Sequence, residues 1–184
     1  KPAVDTLRLN PLAFPRNPYH HLVKHYHDGQ LLGNRRNDPL LDSELVLRVF
    51  LDQEAALKAM RESSPDLLLA WHWLTTRDGK VSGLNRFFMV VRRASAPSEA
   101  EARAAIARLL DGVACRASSA SLIEEAAAEA ETVGWPLAYA LAWLSVAGGN
   151  SVMPPWVRHQ FPDAGRMVRS LRDVPCGGDG CGWC

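Results

Sequence analysis

Three of the four cysteines in this 184-residue chain stand in "CGGDGCGWC", as Cys176, Cys181 and Cys184, and the fourth, Cys115, lies far upstream in "GVACRAS". Thiolates two to four residues apart can converge on one metal ion when the chain between them turns tightly. Gly177, Gly178, Gly180 and Gly182 suit such a turn, since they let the backbone bend and bring its N–H groups toward sulfur. Four thiolates make a closed site, and zinc fits it with each Zn–S bond at about 2.3 Å. A cysteine trio with one distant partner is also a ligand pattern of iron–sulfur clusters, which stand as the alternative cofactor. The spacing departs from a zinc ribbon in having one CxxC rather than two, and His159 is a second candidate for the fourth ligand. "CGWC" also has the spacing of thiol–disulfide exchange motifs, and a cysteine-bearing tail can be the substrate of a modifying enzyme.

The histidines carry a weaker signal. "HHLVKHYH" holds His20, His21, His25 and His27, of which His21 and His25 would share one helical face as two metal ligands can. No intervening glutamate and no third ligand nearby completes a catalytic set, so a solvated basic region is the plainer reading. His72, between Trp71 and Trp73, reads as a core or sheet-surface residue for want of a partner. In "NSVMPPWVRHQFP" two prolines hold Trp156 ahead of Arg158 and His159. Trp and Arg anchor protein interfaces and also stack on bases and grip phosphates. Trp156, Arg158 and His159, with Arg35 and Arg36, are therefore the candidate interaction surface, and Trp156 fits a core position equally.

Familiar catalytic patterns are missing from the sequence. It has no Gly-rich phosphate loop ending in Lys-Ser/Thr, no GxSxG elbow and no carboxylate trio of the two-metal kind. Lysine is absent between Cys115 and Cys176, which removes the E-x-K arrangement of nucleases whose active site lies between one cysteine and a trio. The net charge of +1 is no electrostatic footprint for nucleic acid. The charge is instead distributed in alternating blocks. Residues 1–37 have six basic and two acidic side chains, 38–76 three and seven, 77–117 eight and four, and 118–149 four acidic and none basic. Blocks of this kind usually solvate faces that neutralise one another in the fold.

Apolar residues make up 47% of the chain, enough for a real core. The longest apolar run, Trp135–Ala147, falls short of the roughly 20 residues that span a bilayer, and the first 21 residues lack the apolar centre of a signal peptide. These features point to the cytoplasm, with reduced thiols. Prolines at 2, 11, 15 and 18 predict an extended arm over residues 1–18. A single globular domain is expected over 19–174, and the Cys/Gly-rich tail, 175–184, should pack on it through the metal. "DSELVLRVFLDQEAALKAMRES" is helical, with a candidate break near Asp52. Leu69–Leu74 and Arg86–Val91, alternating and apolar about "RDGK", predict an antiparallel β-hairpin. "APSEAEARAAIARLLDG" and "SSASLIEEAAAEAETVG" predict helices, and "WPLAYALAWLSVAGG" predicts a buried helix with proline in its first turn. The expected class is α+β, mostly helical with one small sheet.

The function this favours is a metal-stabilised, non-catalytic accessory subunit that docks on a larger protein, with nucleic acid as a further contact and no membrane. A metalloenzyme or thiol redox protein using the histidines or the terminal CxxC is the alternative. A maturation partner that presents its cysteine tail to another enzyme is the third reading.

Overall fold

Leu67, Leu68, Ala70, Trp71, His72, Trp73, Leu74 and Thr75 are all buried, behind Pro65 and Asp66, two residues that suit a helix start. In the computed structural model, which describes residues 3–17, 39–77, 83–146, 153–178 and 181–184, the segment Pro65–Thr76 is indeed helical. So is Leu84–Arg92. The expected β-hairpin is thus overturned, and with it the α+β class: the described residues form nine helices and no strand. The physical reason is burial on every side. His72 and Trp73 are as hidden as Trp71, so the segment has no polar face from which to read a period. The alternation of Trp71 and Trp73 is accidental, whereas Pro65 in the first turn and Asp66 beside it are helix-start features.

The helices run in chain order as α1 (Thr6–Ala13), α2 (Pro39–Ser63), α3 (Pro65–Thr76), α4 (Leu84–Arg92), α5 (Glu99–Leu110), α6 (Arg116–Ala128), α7 (Ala130–Leu144), α8 (Pro155–Gln160) and α9 (Pro162–Arg172). Helix α1 corrects the extended arm expected at the N-terminus. Asp5 caps it by accepting from the Leu7 and Arg8 N–H groups at 3.0 and 3.1 Å. Leu9 and Leu12 are fully buried, and this burial outweighs Pro11 inside the helix. Gln53 of α2 donates to the Thr6 carbonyl (2.8 Å) and to Asn10 Oδ1 (2.9 Å), tying α1 to α2. Helix α2 is continuous through Asp52, so the break expected there does not occur. Pro136 likewise lies well inside α7 rather than in its first turn, because the helix starts at Ala130.

Helices α3 and α7 pack against each other at the centre, with α5 and α4 against α3 and α9, α6 and α1 against α7. The α3–α7 contact is close enough to need a glycine. A Cβ on Gly134 would meet the Leu74 carbonyl oxygen. Trp71 donates its indole N–H to the Ala138 carbonyl (3.0 Å), and Tyr139 donates its hydroxyl to the Arg8 carbonyl (2.9 Å). The helix expected over "APSEAEARAAIARLLDG" is α5, and Ser98 and Glu101 form a reciprocal capping box at its start. At the far end of α6, Arg77 donates to the Ala126 and Ala127 carbonyls, both at 2.9 Å. It thereby satisfies acceptors that the helix itself leaves open.

Candidate metal centre

Cys115 stands at the N-cap of α6, just after the turn that ends α5. That turn needs Gly112, whose φ is +70°. From there the Cys115 N–H donates to the Leu171 carbonyl at 2.7 Å. Residue 115 is thus fastened to the end of α9, five positions before Cys176. Helix α9 runs along α7 and α6, so the end of the chain returns to the start of α6.

The tail turns back on itself through Gly177, at φ +66°. The Gly178 N–H donates to Cys176 Sγ and the Cys176 N–H to Cys184 Sγ, each at 3.4 Å. Trp183 secures the outer side: its indole N–H donates to the Arg172 carbonyl (3.1 Å), and the Arg172 guanidinium lies 5.0 Å from its ring centre. As a result the sulfurs of Cys115, Cys176, Cys181 and Cys184 all fall within 4.8 Å of one another. Cys115 is fully buried, Cys176 and Cys181 are half-buried and Cys184 is exposed. All four are free thiols.

The local electrostatics favour thiolate at the start of α6. Cys115 makes no full capping hydrogen bond, yet the Ser118 amide and hydroxyl lie close enough to its sulfur to lower its pKa to about 6. The amide N–H of Cys184, then that of Arg116, lower the Cys181 pKa. Both sulfurs draw on the positive end of α6. Cys184 goes the other way. The Cys176 N–H favours its thiolate, but the loss of solvent at its sulfur and the other three thiols outweigh that and push it up to about 12. Four thiols this close cannot all ionise without a cation among them, so the last proton stays on one sulfur. A divalent ion supplies that positive charge and displaces the proton.

The residues present fit such an ion. The Cys176–Cys184 sulfur separation is 3.7 Å. The edge of a tetrahedron with zinc–sulfur bonds of about 2.3 Å is about 3.8 Å. Each tail sulfur also accepts from backbone N–H groups, which hold it in orientation.

The other candidates separate in space. His159 is exposed, pairs with Gln160 at 3.0 Å and is not among the four converging groups. Arg158 is exposed beside it on α8. Trp156 is half-buried, with its ring centre 5.8 Å from that of Phe161 and 6.3 Å from that of Tyr139. Arg35, Arg36, His20, His21, His25 and His27 lie outside the described residues. His72 is a core residue of a helix rather than of a sheet. Its Nδ1 accepts from Arg92 (2.8 Å), so its Nε2 carries the proton and donates to Asn85 Oδ1 (2.7 Å).

Sequence reasoning missed Trp183 and the amides of Arg116 and Ser118 as supports of the cluster. A cysteine directly before a helical "RASSASLIEE" pattern is the signal that could have found the amides, since an N-cap residue faces the open N–H groups of its helix. A groove of about 560 Å³ adjoins the cluster. Leu110, Ala114 and Ile123 line one side, and Cys181, Gly182 and Trp183 of the tail line the other. Among the described residues no helix is long and apolar enough to cross a membrane. No family model matches the chain, nor does any curated protein or solved structure.

Proposed function

We propose that the protein is a metal-stabilised, non-catalytic accessory subunit in which Cys115, Cys176, Cys181 and Cys184 hold one zinc ion and the folded body docks on a larger protein. The observation that carries the metal reading is the convergence of four sulfurs within 4.8 Å. It favours a single ion over an iron–sulfur cluster, because several irons would have to sit between the same sulfurs and force them apart. The buried Cys115 and the closed set of four protein ligands favour structure over catalysis, since a catalytic zinc keeps a position open.

Docking is supported by a different face. Leu40, Leu47 and Leu51 fall on one stripe of α2 at 79%, 58% and 51% exposure. Met89 and Val90 are exposed on α4, which packs beside α2. Single exposed leucines are ordinary, but an apolar stripe along a three-turn length fits a partner surface. Arg158 and His159 remain the residues for a nucleic-acid contact, with Trp156 at its edge.

Two measurements test this reading. Elemental analysis and an absorption spectrum should give one zinc per chain and a colourless protein. Iron with visible absorption would replace the zinc reading by the cluster. A photo-crosslinker at Leu47 should join the chain to a larger protein in its native cell, whereas the same group at exposed Ala128 should not. Adducts absent from positions 40, 47 and 51 alike would remove the docking surface. Oligonucleotide binding that weakens with salt and is lost in Arg158→Ala would establish the nucleic-acid contact; binding unchanged in that variant would end it.

A further inference from the structure

We propose that Cys184 and Cys176 form a modification site at which hydrogen peroxide oxidises the two thiolates to a disulfide. The bridge would release the metal and, with it, the tail. The release and the thiolate form of Cys184 rest on the zinc reading above, whereas the choice of the pair rests on the sulfur positions.

Exposure and proximity select this pair. Cys184 is the exposed member of the four, while Cys115 is wholly buried. Oxidation of a thiolate requires access for the oxidant, so attack begins at Cys184. Its sulfur lies 3.7 Å from that of Cys176, within direct reach. Gly177, Gly178 and Gly182 in the intervening loop allow the small backbone shift that a bond of about 2.05 Å requires.

The chemistry balances as a two-electron exchange. With its proton displaced by the bound ion, Cys184 attacks one peroxide oxygen as a thiolate and breaks the O–O bond, which leaves a sulfenic acid and a hydroxide that takes a proton to become water. The Cys176 thiolate then attacks the Cys184 sulfur and forms the S–S bond, expelling a second hydroxide that also becomes water. One peroxide is reduced to two waters, and two thiolates are oxidised to one disulfide.

The topology decides the consequence. A Cys176–Cys184 bridge lies wholly within the tail and puts no constraint on Cys115 or α6. It leaves Cys115 and Cys181 as the remaining thiolates, half of a closed zinc site. The tail then loses its link to the body, and the side of the groove formed by Cys181, Gly182 and Trp183 leaves Leu110, Ala114 and Ile123. Oxidation is thereby converted into exposure of apolar surface. Reduction of the bridge in the presence of zinc restores the closed form.

The experiment is a stepwise titration of the full chain with hydrogen peroxide. Released metal is followed with a chromogenic chelator, and alkylated samples are cut on the N-terminal side of Asp179 under non-reducing conditions. Asp179 separates Cys176 from Cys181 and Cys184, so the proposed bridge keeps two fragments joined, and fragmentation of the joined species assigns Cys184. The expected result is one metal ion released for each bridge formed, with both reversed by a thiol reductant and zinc. Fragments that separate because the bridge is Cys181–Cys184 would overturn the proposal, as would a Cys184 sulfonic acid without a bridge. Metal content before titration keeps the two readings distinct. A metal-free chain that still forms the Cys176–Cys184 bridge defeats the zinc reading alone. A zinc-loaded chain that resists bridging under peroxide defeats the modification site alone.

Discussion

Replacement of Cys115 by serine removes one sulfur while leaving the main-chain bond from residue 115 to the Leu171 carbonyl in place. A serine hydroxyl stays protonated at neutral pH and does not substitute for a thiolate. The nine residues 176–184 must then be held by what remains. Ordering nine residues costs roughly 9–18 kcal/mol at ~1–2 kcal/mol each. Against this stand the hydrogen bond from Trp183 to Arg172, worth about 1 kcal/mol, and the exposed contact of their ring and guanidinium, worth about 0.5–1 kcal/mol. The difference exceeds both contacts several-fold, whereas zinc–thiolate binding supplies ~10 kcal/mol or more. The tail should therefore come away while the α3–α7 core stays folded. Metal content should fall nearly to zero, and trypsin should cut after Arg172 much faster. A shift in tail opening of only ~1.4 kcal/mol already raises that rate about tenfold. Cys181→Ser should behave alike. Parent-like metal content and an unchanged cleavage rate in Cys115→Ser would refute the reasoning, because the tail would then be held without the buried ligand.

Two further expectations concern the body. Gly134→Ala drives a Cβ into the Leu74 carbonyl and should cost ~1–3 kcal/mol or more in urea unfolding, with metal content unchanged; stability equal to the parent would contradict the close α3–α7 packing. Burial lowers the His72 pKa despite the opposing Asn85 bond, and the Arg92 charge lowers it further. The unfolded chain therefore binds this proton more readily, and the stability that neutral His72 contributes is complete above about pH 6.5 and is lost as pH falls through the depressed folded value. The difference in unfolding free energy between parent and His72→Gln should shrink as pH drops from 7 to 5, whereas a pH-independent difference would rule out a buried neutral histidine.

How much of this was legible depended on whether each segment had a local signature. The Ser98–Glu101 box and the acidic start of α5 mark a helix without reference to anything else, and the structure keeps them. The cysteines were legible because thiolates and glycines concentrated in nine residues have few other uses. Helix α3 was not, because surrounding helices bury it and erase the polar face that would reveal its period. Pro11 and Pro136 misled for a related reason. Each gives up a backbone hydrogen bond that a local rule counts heavily, and each helix recovers it through buried neighbours such as Leu9, Leu12 and Tyr139. The role of Trp183 depends on a contact with Arg172, eleven residues away, that no spacing rule encodes.

The central claim is a single ion held by four sulfurs, and X-ray absorption at the zinc edge measures that coordination shell directly in solution. The account predicts one shell of about four sulfur atoms at about 2.3 Å with no metal–metal scattering. A shell containing nitrogen or oxygen, or scattering from a second metal, would contradict it.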